Sequence, residues 1–186
     1  MKKPALTRAI LAAVAVCAFA AHGGGAQAQT RKPRAERPAP RFEDYPARGV
    51  YRGPVARVRL DSKTARMFRT RLREGASTGP NFAGRYTVVI WGCGTGCAQM
   101  GVVDAKTGRV YFPPVEYMDI PDMEDERARS QWFRLDSRLL RITQNHYDGR
   151  GGYTAYYYLF DKDRFRLLRK AEERWPERPD ETEDQN

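Results

Sequence analysis

The sequence is poor in the residues that most often carry chemistry. Two histidines and three cysteines occur in 186 residues, and His22 and Cys17 fall within the first 28. The remainder holds only His146, Cys93 and Cys97. A zinc site needs about four ligands, so a Cys/His site of that size is excluded and any metal would have to recruit carboxylates. No G-x-S-x-G nucleophile elbow is present. A Ser–His–Asp arrangement would have to use His146, with Asp136, Ser137 and Asp148 near it in sequence. The acids of Met118–Glu126 (MDIPDMEDE) lack the D-x-D-x-D-G spacing of a calcium loop. A carboxylate pair of the glycosidase kind has no sequence signature among the 23 acids. Long apolar runs are missing too. The longest, Ile10–Ala21, is about a dozen residues, short of the ~20 that a membrane helix needs.

That run has the layout of a secretory signal. Lys2, Lys3 and Arg8 precede it, and Ala26-Gln27-Ala28 supplies a small-x-small cleavage pattern, which places cleavage after Ala28. An uncleaved anchor is one alternative and lipidation at Cys17 another. Val16 argues against lipidation, which needs a small residue just before the cysteine. Without the leader the chain keeps 30 Lys and Arg against 23 Asp and Glu. A periplasmic or secreted protein meets an oxidising compartment. It also meets anionic envelope polymers, glycans and other proteins rather than nucleic acid, the usual partner of a basic surface.

The ends read as unstructured. Residues 29–50 are rich in Pro and Arg and lack apolar periodicity, as an extended arm does. Ala171–Asn186 holds seven acids against two arginines and reads as a solvated tail. One β-rich domain over residues 51–170 is expected between them.

Within it, Ala65, Phe68 and Leu72 mark one face of a helix near residues 62–74, capped by Asp61 or Ser62 and stopped by Gly75. Arg66, Arg69 and Arg73 lie along a flank of this helix, as a solvated face or an anion-binding stripe. Strand patterns follow at 85–91, 100–103, 109–112, 132–135, 139–143, 153–160 and 165–168, after a short one at 55–60. A long acidic connection spans Val115–Ser130, with six acids between Glu116 and Glu126. The fold class is therefore α+β, mostly β: one short helix packed on an antiparallel meander sheet of six to seven strands. GVVDAKTGRVYF and YYLFDKDRFRLL both read strand, Asp-led turn, strand. This repeat suggests two antiparallel meanders.

The most distinctive stretch is WGCGTGC, Trp91–Cys97. A thioredoxin-type pair would be Cys-x-x-Cys at a helix start, whereas this is Cys-x-x-x-Cys between strands. A disulfide between Cys93 and Cys97 fits better, because Gly94 and Gly96 can take the positive φ of so small a ring. GPNFAGRYTVVIWGCGTGC followed by VVDAKTGRVY resembles a group of uncharacterised exported bacterial proteins. They share an N-F-A-x-x-Y segment, a WGCG-type cysteine loop and a D-x-x-T-G turn. The resemblance implies context and no reaction. Where it implies a histidine, in N-F-A-G-H-Y, this chain has Arg85.

A Gly-rich loop pinned on a sheet is a common binding element, which makes Asn81, Arg85, Trp91, Thr95 and Gln99 candidate contacts. Tyr156 and Tyr158 share one face of a strand with Phe160. They form either core or an aromatic platform for a glycan or peptide, bordered by the polar loop that holds His146. No cofactor and no metal site are expected. The function these features favour is a small exported binding or inhibitor-like domain at the cell envelope. The alternative is an envelope hydrolase using His146 or a carboxylate pair.

Overall fold

The computed structural model describes residues 38–119, 124–146 and 152–174. The expected signal segment and the expected cleavage after Ala28 lie outside them. Six strands form two three-stranded antiparallel sheets. The first sheet is β1 (Tyr86–Gly94), β2 (Cys97–Asp104) and β3 (Val110–Tyr111), in that order. The second is β4 (Leu139–His146), β5 (Gly152–Asp161) and β6 (Arg164–Glu173).

The single six- to seven-stranded sheet is therefore corrected to two meanders, as the internal repeat suggests. The reason is burial. Each sheet is covered on both faces, so its strands are apolar on both sides in either arrangement. Tyr86, Val88, Met100 and Val102 of the first sheet share a core with Leu140, Ile142, Tyr158 and Phe160 of the second. Phe160 meets Tyr86 edge-on at 4.8 Å and Tyr111 at 5.6 Å. The opposite face of the first sheet places Val89, Trp91 and Val103 against Ala65, Leu72 and Ala76. On the second sheet, Leu139, Tyr153, Ala155 and Tyr157 are covered by Phe42, Tyr45 and Leu168. Each such large side chain, fully buried, contributes about 1.5–3 kcal/mol. A bridge from Met118 to Ala98 and a hydrogen bond from Asp119 N to Thr143 O link the sheets.

The expected helix is two short ones, α1 (Lys63–Met67) and α2 (Arg69–Ala76). Ser62 Oγ caps the first by accepting from Ala65 N at 3.0 Å. The chain leaves helical geometry at Phe68, whose ring packs on Trp91 at 4.6 Å. Gly75 does not stop the helix. It lies inside α2, where a Cβ would collide with Val89 of β1. The acidic connection contains a third helix, α3 (Glu126–Ser130), with Asp125 accepting from Arg127 N.

Two expected strands are not strands. Residues 55–60 form no ladder, and their backbone–backbone bonds are Ala56 N to Ala105 O and Arg59 N to Gly108 O. Residues 132–135 contribute one bridge, Phe133 to Leu140. Both carry apolar residues because they cover a core, not because they join a ladder. Described elements also lie outside residues 51–170. Phe42–Asp44 is a 3₁₀ turn, Pro46 bridges Ser137, and Ala171–Glu173 complete β6.

Candidate functional site

The two halves use the same device at one end of each sheet. An arginine immediately precedes the first strand, and an aspartate closes the second. In the first sheet Arg85 holds Asp104 at 3.2 Å. In the second, Arg138 holds Asp161 at 2.9 Å, helped by Arg48 at 3.0 Å. Each aspartate opens the turn to the third strand. Asp104 is buried and fully used: its oxygens accept from Lys106 N, Thr107 Oγ1 and Arg85.

These two turns meet. Asp163, in the β5–β6 turn, accepts from the Tyr86 hydroxyl at 2.6 Å and from Arg85 at 3.3 Å. Arg85 thus joins the aspartate of one turn to that of the other. Burial, followed by the hydrogen bond to Asp163, raises the Tyr86 hydroxyl far above its ordinary range. Burial and the neighbouring Asp163 push Tyr111 up to about 12. The Tyr111 hydroxyl lies near Asp163 without meeting it in hydrogen-bond geometry, and Arg85 Nε is likewise buried without a partner.

Two cavities open at this junction and share Lys162 and Asp163. The first, of about 460 Å³, is bordered by Arg48, Tyr51, Arg85, Lys106, Arg138 and Asp161. The second, of about 520 Å³, is bordered by Arg59, Asp61, Arg109, Tyr111 and Arg164. Both fall in the size range of small-ligand sites. The turn sequence DAKTGR supplies Lys106 and Arg109, and DKDR supplies Lys162 and Arg164. All four are exposed, and none has an ion pair or a side-chain hydrogen bond among the described residues.

The backbone is strained here. Three non-glycine residues have positive φ among those described: Ala83 (46°), Lys162 (49°) and Asp163 (61°). All three border the first cavity. A two-residue hairpin turn with both φ positive favours Asn-Gly. Lys-Asp in its place gives up some stability and puts two charged side chains at the junction, a pattern typical of functional positions.

Of the eight candidate contacts, Arg85 is the one that borders these cavities. The Asn81 side chain accepts from Val88 N at 2.7 Å and donates to Val88 O at 3.1 Å, so it is spent on β1. Trp91 is buried, and its indole donates to Gln99, which in turn donates to Glu116 O. These two border a separate cavity of about 300 Å³ with Phe68 and Phe112. Thr95 is exposed at the tip of the β1–β2 hairpin. Cys93 and Cys97 are disulfide-bonded, with Cα atoms 5.3 Å apart and Gly94 and Gly96 at φ 143° and 69°. Tyr158 is buried in the core between the sheets, and the partly buried Tyr156 packs against that core. His146 Nε2 lies 2.7 Å from Thr154 Oγ1. Residues 147–151 of its loop lie outside the described residues.

Position along the strands separates these features. The disulfide tip and His146 are at the opposite ends of their sheets from Arg85 and the β5–β6 turn. At about 3.3 Å per residue, each lies roughly 25–30 Å away along its strand. Arg66 donates to the carbonyls of Leu60 and Asp61, and Arg69 to Arg66 O, so two arginines of the helical row satisfy backbone groups. Among the described residues no group of three or more His, Cys, Asp or Glu is placed to hold a metal ion. No helix among them is long and apolar enough to cross a membrane.

No protein-family model, no curated protein and no solved structure matches the chain. The site must therefore be read from its own chemistry. The cations of the cleft come from six separate segments, which is why sequence spacing missed it. The available signal was the repeat: each copy carries a lysine and an arginine in its turn.

Proposed function

We propose that this protein is a small exported binding domain of the cell envelope whose cleft takes an anionic ligand. The observation that carries this reading is the set of four cations without partners on two adjoining turns. An exposed cation beside a fixed carboxylate is largely neutralised. Lys106, Arg109, Lys162 and Arg164 are not, so their field is available to a ligand. The disulfide is compatible with an oxidising compartment, and export would bring the cleft to anionic envelope polymers.

Binding is favoured over hydrolysis by three particulars. Asp104 is consumed by its own turn, and the carboxylates that border the cavities, Asp61, Asp161 and Asp163, are each ion-paired with an arginine. His146 is at the far end of the second sheet. The Tyr86 and Tyr111 hydroxyls keep their protons near neutral pH.

The test compares two sets of neutralised cations, using poly-L-glutamate as the probe at low salt. Lys106→Gln, Arg109→Gln, Lys162→Gln and Arg164→Gln together should weaken binding on the order of tenfold or more, at a few tenths of a kcal/mol per exposed charge. Arg66→Gln, Arg69→Gln and Arg73→Gln together should change it less than about twofold on the same scale. Equal losses from both sets would mean that net charge alone attracts the probe, and the cleft reading would fail.

A further inference from the structure

Resting on that anion-binding reading, we infer that the ligand is an acidic glycan, a chain whose units carry both hydroxyls and carboxylates. The cleft is not uniformly basic. Asp161 and Asp163 border the first cavity, and Asp61 and Asp163 border the second. Asp161 is neutralised by Arg48 and Arg138, but Asp61 and Asp163 keep exposed carboxylate surface that would oppose a bare anion at close range. A hydroxyl-bearing ligand reverses the sign. Its O–H groups donate to the carboxylates while its own acid groups meet the lysines and arginines.

Asp163 is placed for this. Its Oδ1 is occupied by Tyr86 and Arg85, and its side chain is 33% exposed. Its geometry is fixed from behind, because Arg85 is itself anchored on the buried Asp104. Asp61 is more open, at 65% exposure, with Arg59 at 2.9 Å as its neighbour. A neutral glycan would satisfy the carboxylates but leave four cations unused. A polyphosphate or polypeptide acid would use the cations and oppose the carboxylates. An acidic sugar unit suits both, and two cavities sharing one turn fit consecutive units of a chain. The Tyr51 ring borders the first cavity, and its hydroxyl donates to Pro54 O, which holds an aromatic wall in place.

The experiment measures two probes of equal carboxylate number by calorimetry on the full mature chain. Oligogalacturonate carries hydroxyls and carboxylates, and oligoglutamate carries carboxylates without hydroxyls. The wild-type protein should bind oligogalacturonate more tightly. Asp163→Asn should weaken oligogalacturonate about tenfold, the lower end of the scale of one lost hydrogen bond to a charged acceptor, and should strengthen oligoglutamate. Asparagine tolerates the positive φ of this position, so the turn is kept. Asp61→Asn, outside the Arg85 network, should show the same opposite shifts more weakly. Should both probes move in the same direction in both variants, or oligoglutamate bind as tightly as oligogalacturonate, the glycan assignment is overturned while anion binding stands. Binding of neither probe would overturn both readings.

Discussion

The molecule contains two clusters of one recipe: an arginine, a carboxylate and two tyrosines. On the outer face of the second sheet, Arg141 donates to Tyr153 and to Glu173, and both Tyr153 and Tyr157 donate to Glu173. Both Glu173 oxygens are used, and the arginine lies over both rings. At the junction of the sheets, Arg85, Asp163, Tyr86 and Tyr111 assemble less completely. Tyr111 Oη and Arg85 Nε are orphaned, the turn beside them is strained, and four cations stand without partners. The same groups make a closed structural knot in one place and an open, unfinished one in the other. A satisfied network stabilises and specifies the fold; an unsatisfied one in a native protein calls for an explanation, and a ligand site is one.

The contrast is broken most strongly by removing the closed knot. Glu173→Ala strands Arg141, whose side chain is 16% exposed, and should cost about 2–3 kcal/mol in urea unfolding. Poly-L-glutamate binding at the cleft should not change. If binding falls with stability, the two clusters are coupled and the division between them is wrong.

The pH limits come next, and they should fall on opposite sides. Burial alone would raise the Glu173 carboxyl, but hydrogen bonds from Tyr153 and Tyr157 and the charge of Arg141 hold it below its ordinary value. Its contribution is therefore present above the ordinary carboxylate range near 4.5 and is lost as pH falls through the lowered folded value. The tyrosines of the junction are raised, so above pH 10 the unfolded chain releases their protons first, and stability falls as pH rises toward 12 and beyond. Unfolding titrations should show Glu173→Gln flattening the acid limb and Tyr111→Phe the alkaline limb. Exchange of those two effects would contradict the assignment.

Smaller effects sharpen the same point. Tyr153→Phe should destabilise by about 1 kcal/mol, whereas Tyr111→Phe, which deletes an orphaned hydroxyl, should be neutral or stabilising. Lys162→Asn should raise stability by about 0.5 kcal/mol, because asparagine accepts the φ of 49° more readily. It should also weaken polyanion binding. A variant that gains stability without losing binding would remove the reason for placing a strained lysine there.

The strands, the disulfide and the repeat were legible in the sequence because each is local. Gly94 and Gly96 announce a tight ring, and two Asp-led turns announce two hairpins. The partition into two sheets was not, because Tyr86–Trp91 and Tyr153–Phe160 are apolar on both faces whichever layer covers them. Residues 55–60 and 132–135 misled for a related reason: alternation reports burial and says nothing of ladder pairing. Ala171–Glu173 read as tail because its acids outweighed a single buried alanine. For the cleft, Arg85 was legible as a candidate through its place beside N-F-A-G. Lys106 and Lys162 were not, since their proximity exists only once the two turns have met.

The central claim is that the meeting of the two turns, and not the cysteine loop, is the binding surface. Amide chemical shifts of the uniformly ¹⁵N-labelled protein, followed during titration with oligogalacturonate, test it directly. The expected shifts gather at Gly84, Arg85, Lys106, Gly108, Lys162 and Asp163, with the Cys93–Cys97 tip and His146 unmoved. Shifts confined to Gly92–Ala98 or to His146 would contradict it and return the site to the opposite end of the sheets.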